Sequence, residues 1–124
     1  MKYLCLICAE KVMEQMPEAE AAQHYEEYRE FTDAIRRSGN LVSANRLKPP
    51  ADATTVRVRQ GKISTTDGPY AETKEQLGGY YVIEARDLND AIRVASRIPG
   101  ARLGCVEVRP IAEDAQTVSV LGSR

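Results

Sequence analysis

Asp67-Gly68-Pro69-Tyr70-Ala71-Glu72-Thr73-Lys74-Glu75-Gln76-Leu77-Gly78-Gly79-Tyr80 crowds charged side chains between two glycine-containing turn signals. Pro69 fixes its own φ and biases the preceding residue away from helix, so the chain turns there. Gly78-Gly79 then gives the backbone freedom just before the apolar run 80–83. The stretch reads as a charged loop that delivers the chain into a strand over residues 80–85. On its other side, residues 55–59 and 62–65 alternate around Gln60-Gly61 as a hairpin, and Lys48-Pro49-Pro50 breaks the chain before it.

Further out, residues 3–8 read as a strand and residues 10–16 as a loop. Pro17 suits the first turn of a helix running to about Ser38, with Gly39 as its stop. Tyr25, Tyr28, Phe31, Thr32 and Ile35 recur at three- and four-residue intervals and give that helix one apolar face. Residues 41–44 form a short strand. Asp87 is a good N-cap for a second helix over 88–97, with Leu88, Ala91, Ile92 and Ala95 expected to face inward, and 104–109 is the last strand. Residues 1–111 make one domain, and 112–124 read as a polar tail or an arm on a partner subunit.

The order strand, helix, strand, hairpin, strand, helix, strand is that of an α+β ferredoxin-like sandwich with an inserted β-hairpin, both helices covering one sheet face. The first strand is apolar on both sides, Leu4 and Leu6 alternating with Tyr3, Cys5 and Ile7. In so small a domain that pattern calls for a cover on the second face, most economically the same face of a second copy.

Lys and Arg total 17 against 18 Asp and Glu, net charge −1, with no basic stripe. Direct nucleic-acid binding is not expected, since phosphate recognition draws its affinity from clustered cations. The apolar run 3–9 is far short of the ~20 residues that span a bilayer and lacks the form of a signal peptide, so a cytoplasmic protein that does not engage membranes is expected. The chain has 3 cysteines. Cys5 and Cys8 spell C-x-x-C, but on a strand residues three apart point to opposite faces, so these thiols read as small buried hydrophobes rather than a redox or metal pair.

The run from Asp67 to Gly79 resembles the signature of the YCII-related family, also called DGPF-domain proteins, with Tyr70 where Phe usually stands. The helix segment 28–39, Thr54-Thr55-Val56-Arg57, and Pro99 through Gly104-Cys105-Val106-Glu107-Val108-Arg109-Pro110 read like the same pattern. The resemblance implies a homodimer built as a dimeric α+β barrel, related to muconolactone-isomerase-like and antibiotic-monooxygenase-like folds. Family members often carry a His three residues before the helix Phe. Here that position is Tyr28, and the single His24 lies one turn earlier.

Asp67, Lys74, Tyr28 and His24 are the candidate catalytic groups. Carboxylate, amine, phenol and imidazole at the mouth of a partly apolar cavity can move protons, and His24 shares a helix face with Tyr28. Tyr70, Glu72 and Arg109 are the candidate ligand-binding groups; Arg109 alternates with Glu107 on the last strand, so the two point to one side. No phosphate loop, dinucleotide fingerprint, zinc motif or nucleophile elbow occurs, and neither a cofactor nor a metal is expected. Two functions fit. One is a cofactor-free lyase- or isomerase-type enzyme acting by proton transfer on a small cyclic or carbonyl compound, as the related barrels imply. The other is a non-catalytic ligand-binding or regulatory partner, the resemblance carrying an association with sigma-factor-type transcription control.

Overall fold

In the computed structural model, residues 1–10, 16–69 and 75–113 are described, residues 9, 10 and 75 by their backbone alone. The elements run β1 (Lys2–Glu10), α1 (Glu18–Arg37), β2 (Leu41–Arg46), β3 (Thr54–Arg59), β4 (Lys62–Asp67), β5 (Glu75–Glu84), α2 (Leu88–Ala95) and β6 (Gly104–Pro110). Short 3-10 turns occupy Pro50–Asp52 and Pro99–Arg102. The fold is mixed α+β. A sheet in the order β2-β5-β1-β6 is antiparallel at every contact, and β3-β4 forms a separate antiparallel pair. Each half of the chain thus contributes a central strand, a helix and an edge strand. The sheet of this single chain does not close into a barrel.

β5 begins at Glu75, five residues earlier than the glycines suggest. The ladder to β1 continues from Lys2↔Glu84 to Glu10↔Glu75, and a register shift at Ile7/Cys8 absorbs the glycine pair as a bulge inside the strand. The turn signal was real, but a neighbouring strand supplied hydrogen-bond partners on both sides of it. Residues 70–74 lie outside the described part, as does all of the expected tail beyond 113. In the hairpin, Gln60 and Gly61 both take positive φ, 54° and 75°, as a two-residue turn of matching twist requires.

One buried cluster joins Tyr3, Cys5 and Ile7 of β1, Tyr81 and Ile83 of β5, Phe31 and Ile35 of α1, and Ala91, Val94 and Ala95 of α2, with Val106 and Val108 packed against it. Both helices therefore lie on one sheet face. The opposite face carries Leu4, Leu6, Tyr80 and Val82, all partly exposed. Val106 and Val108 take the helix side as their alternation suggests, leaving Glu107 and Arg109 exposed and ion-paired with each other on the other face.

The inward face of α2 differs from expectation. Leu88 and Ile92 are each 50% exposed, while Val94 and Asp90 turn in with the two alanines. The reason is polar. Asp87 caps the helix by accepting the Asp90 N–H at 2.8 Å. The Asp90 carboxylate in turn accepts the Arg86 N–H at 3.0 Å and is held by the Arg93 and Arg86 guanidiniums at 2.6 and 3.3 Å. These donors keep its carboxyl well below the usual carboxylate range, the Arg86 N–H foremost. Drawing Asp90 inward fixes the helix phase, and the alanines let the backbone approach the sheet.

Only Cys5 is fully buried; Cys8 is partly exposed and Cys105, opposite it across the β1–β6 ladder, is exposed. Burial pushes the Cys5 thiol up to about 11. Since the thiolate is the reactive form, alkylation followed by mass spectrometry should modify Cys105 first and Cys8 next, and Cys5 only after denaturation. Native labelling of Cys5 at the Cys105 rate would contradict the packing of β1. Among the described residues no helix is long and apolar enough to cross a membrane, and no group of His, Cys, Asp and Glu is placed to hold a metal ion.

Candidate functional site

A cleft of about 1360 Å³ opens between α1 and the β2–β5 edge of the sheet. α1 supplies Ala21, His24, Tyr25, Tyr28 and Thr32; β2 and the chain after it supply Ala44 to Pro50 and Asp52; β5 supplies Gln76 to Tyr81. The helix presents these side chains because its three- and four-residue spacing puts 21, 24, 25, 28 and 32 on the flank beside the core stripe of Phe31 and Ile35.

His24 and Tyr28 meet edge to face, ring centroids 5.0 Å apart. The His24 side chain is only 10% exposed. Its Nδ1 stands 3.8 Å from a Glu27 carboxylate oxygen, and that same oxygen accepts a hydrogen bond from Arg102 at 2.7 Å. Its Nε2 is buried with no hydrogen-bond partner among the described residues. Burial lowers the imidazole pKa below its ordinary value; Glu27 pulls it up and Arg102 presses it down. Burial thus favours the neutral ring, and the Glu27 carboxylate favours the proton on Nδ1, which leaves a lone pair on Nε2.

Tyr28 Oη accepts the Gly100 N–H at 3.0 Å. Burial raises its pKa to about 12, with the Gly100 N–H working against that rise. The phenol keeps its proton, so it serves as a hydrogen-bond donor. Across the cleft, Thr32 Oγ1 and Tyr81 Oη share a hydrogen bond at 2.6 Å. Gln76 Oε1 is buried with no hydrogen-bond partner among the described residues. A buried polar atom without a partner costs about 1–3 kcal/mol. His24 and Gln76 both line this cleft, so a ligand that donated a hydrogen bond to either buried atom would remove that cost.

The sequence-derived candidates divide. His24 and Tyr28 come together in the cleft. Asp67 ends β4 opposite Thr54, is exposed, and is not among the cleft's lining residues. Arg109 is exposed on the opposite sheet face, bound to Glu107. Tyr70, Glu72 and Lys74 lie outside the described residues. His24, a catalytic candidate from the sequence, is almost fully enclosed at the cleft wall. Glu27, Gln76 and the 3-10 turn carrying Gly100 and Arg102 were not singled out from the sequence. For Glu27 the signal existed, an acid three residues after a His on one helix. For the 3-10 turn it did not, because its contacts with α1 span more than 70 residues of chain.

Comparison with known proteins agrees with the resemblance carried by the Asp67–Gly79 run. An uncharacterized protein of Rhizobium meliloti (strain 1021) is 42% identical over 77 residues, which cover 60% of this chain and 62% of that protein's own length. The family model described as the YCII-related domain matches residues 1–114, nearly the whole chain. The chain belongs to the YCII-related domain family.

Proposed function

We propose that this protein binds a small carbonyl compound in the α1–β5 cleft and moves a proton on it without a cofactor, as a lyase- or isomerase-type enzyme. One observation carries the reading: His24 lines the cleft, and its buried Nε2 has no hydrogen-bond partner among the described residues. Its lone pair takes a proton from carbon, Glu27 steadies the imidazolium that forms, and the Tyr28 hydroxyl donates to the oxygen on which charge develops. Tyr28 thus occupies the family's helix-His position as a donor, and His24 one turn earlier is the base.

A homodimer completes the proposal. The partly exposed Leu4, Leu6, Tyr80 and Val82 on the sheet face away from the helices support it. A strand order in which each half gives one central and one edge strand supports a ferredoxin-like sandwich, two copies of which form a dimeric α+β barrel. Light scattering at micromolar concentration should give twice the 13.7 kDa chain mass, and a 13.7 kDa species would remove the barrel.

The function is tested by native mass spectrometry of freshly purified protein, followed by incubation with small cyclic ketones and lactones in D2O. Enzyme-dependent loss of a C–H signal by proton NMR is the expected result. A co-purifying compound that is bound but never exchanges would favour a non-catalytic binding role. Neither binding nor exchange would remove the cleft as a functional site.

A further inference from the structure

Arg46 is fixed in place yet has no carboxylate beside it among the described residues. Arg29, Arg36, Arg86, Arg93, Arg102 and Arg109 all sit against carboxylates. Arg46 is held instead by Tyr25, the residue next to His24. Its Nη1 donates to Tyr25 Oη, and its guanidinium carbon lies 5.0 Å from the ring centroid. This holds one edge of the guanidinium and leaves the other, a planar fork that matches a carboxylate bidentately. Lys48 lines the same rim, and Asp52 is the one carboxylate among the described lining residues, with no ion pair to either cation. A cation ordered by an aromatic ring rather than by a counter-charge keeps its electrostatic capacity for a ligand.

We infer that Arg46 and Lys48 form a carboxylate subsite, so that the compound handled in this cleft is a small, flat carboxylic acid whose anionic end is held at the rim while its apolar body extends among the tyrosines toward His24. This rests on the proposed cleft function and adds a substrate class to it. An anchored carboxylate orients the carbon to be deprotonated, which is how remote binding contacts lower a barrier.

The probes are benzoate and its neutral isostere benzamide, titrated against the full chain at low salt. Binding is followed by the ring NMR signals of Tyr25 and Tyr28. Benzoate should bind at least about tenfold more tightly, the difference expected of a charge-assisted hydrogen bond. The advantage should shrink as salt is added. Arg46→Gln should bring benzoate down to the affinity of benzamide. Equal affinities in the native protein, or an unchanged preference in Arg46→Gln, would overturn the subsite while the tyrosine shifts still upheld the cleft. If neither probe moved the Tyr25 and Tyr28 signals, subsite and cleft would fall together.

Discussion

His24→Gln is expected to slow proton exchange on the cleft ligand by ~10² to 10⁴-fold, the usual contribution of a positioned general base. Gln keeps comparable bulk and a polar end but cannot take the proton, so the thermal midpoint should move far less than the rate. The pH dependence gives a sharper test. Activity should rise as His24 loses its proton, with the acid limb centred below the ordinary imidazole value of ~6.5 because burial disfavours the charged ring. Glu27 raises that pKa and Arg102 lowers it. Glu27→Gln should therefore move the limb to lower pH, and Arg102→Gln to higher pH. A limb that stayed in place in both variants would take the base role away from His24. Stability follows the same sign. The folded protein binds this proton less readily than the unfolded chain, so the neutral ring's contribution is complete above ~6.5 and is lost as pH falls through the lower folded value.

Gly100→Ala is expected to produce the largest loss of stability of any single-methyl change near the site. A Cβ there would stand 2.5 Å from Tyr28 Oη and 2.8 Å from Ile7 Cγ2, both inside van der Waals contact. Overfilling a packed site costs about 1–3 kcal/mol, or roughly 4 °C of thermal midpoint per kcal/mol in a domain of this size. The displaced Tyr28 would also lose the Gly100 N–H, so ligand affinity should drop alongside stability. Tyr28→Phe in the same background removes the closer clash but leaves Ile7, and the two changes should be non-additive because they share one contact. Gly78→Ala is the control: its Cβ would meet only the Ile7 carbonyl oxygen at 4.0 Å, and the midpoint should barely move. Equal effects at the two glycines would mean that Gly100 does not support Tyr28.

Periodicity and turn chemistry were enough for the order of elements, because β1, α1, the hairpin and β6 each carry a pattern that a single face or turn imposes locally. Boundaries failed where a neighbour decided them. Glu75–Gly79 looks like loop until β1 is laid beside it, and Leu88 and Ile92 look like core until Asp90 and its arginines set the helix phase. The site was legible only in part, for the same reason. The shared face of His24 and Tyr28 is a local fact of helix geometry. That Nε2 is enclosed, and that a turn near residue 100 holds Tyr28 and the Glu27 carboxylate beside His24, depends on packing between the two halves of the chain. Asp67 drew attention through its motif, yet its strand places it on the exposed hairpin.

The hairpin itself has a dynamic consequence. Among the described residues β3 and β4 pair only with each other, and Val56, Val58 and Ile63 on one of its faces are 60%, 56% and 75% exposed. Near its base the Gly68 N–H donates to Ala53 O at 2.7 Å and the Thr55 hydroxyl to Gly68 O at 2.9 Å. A two-stranded ribbon with so little apolar burial is marginal alone, so it forms a local unfolding unit separate from the four-stranded sheet. Amide protons of the β3–β4 ladder should exchange with solvent through a low-energy opening, while those between β1 and β5 wait for global unfolding. The hairpin can thus open and close many times within the lifetime of one folded molecule while the His24–Tyr28 pair stays assembled.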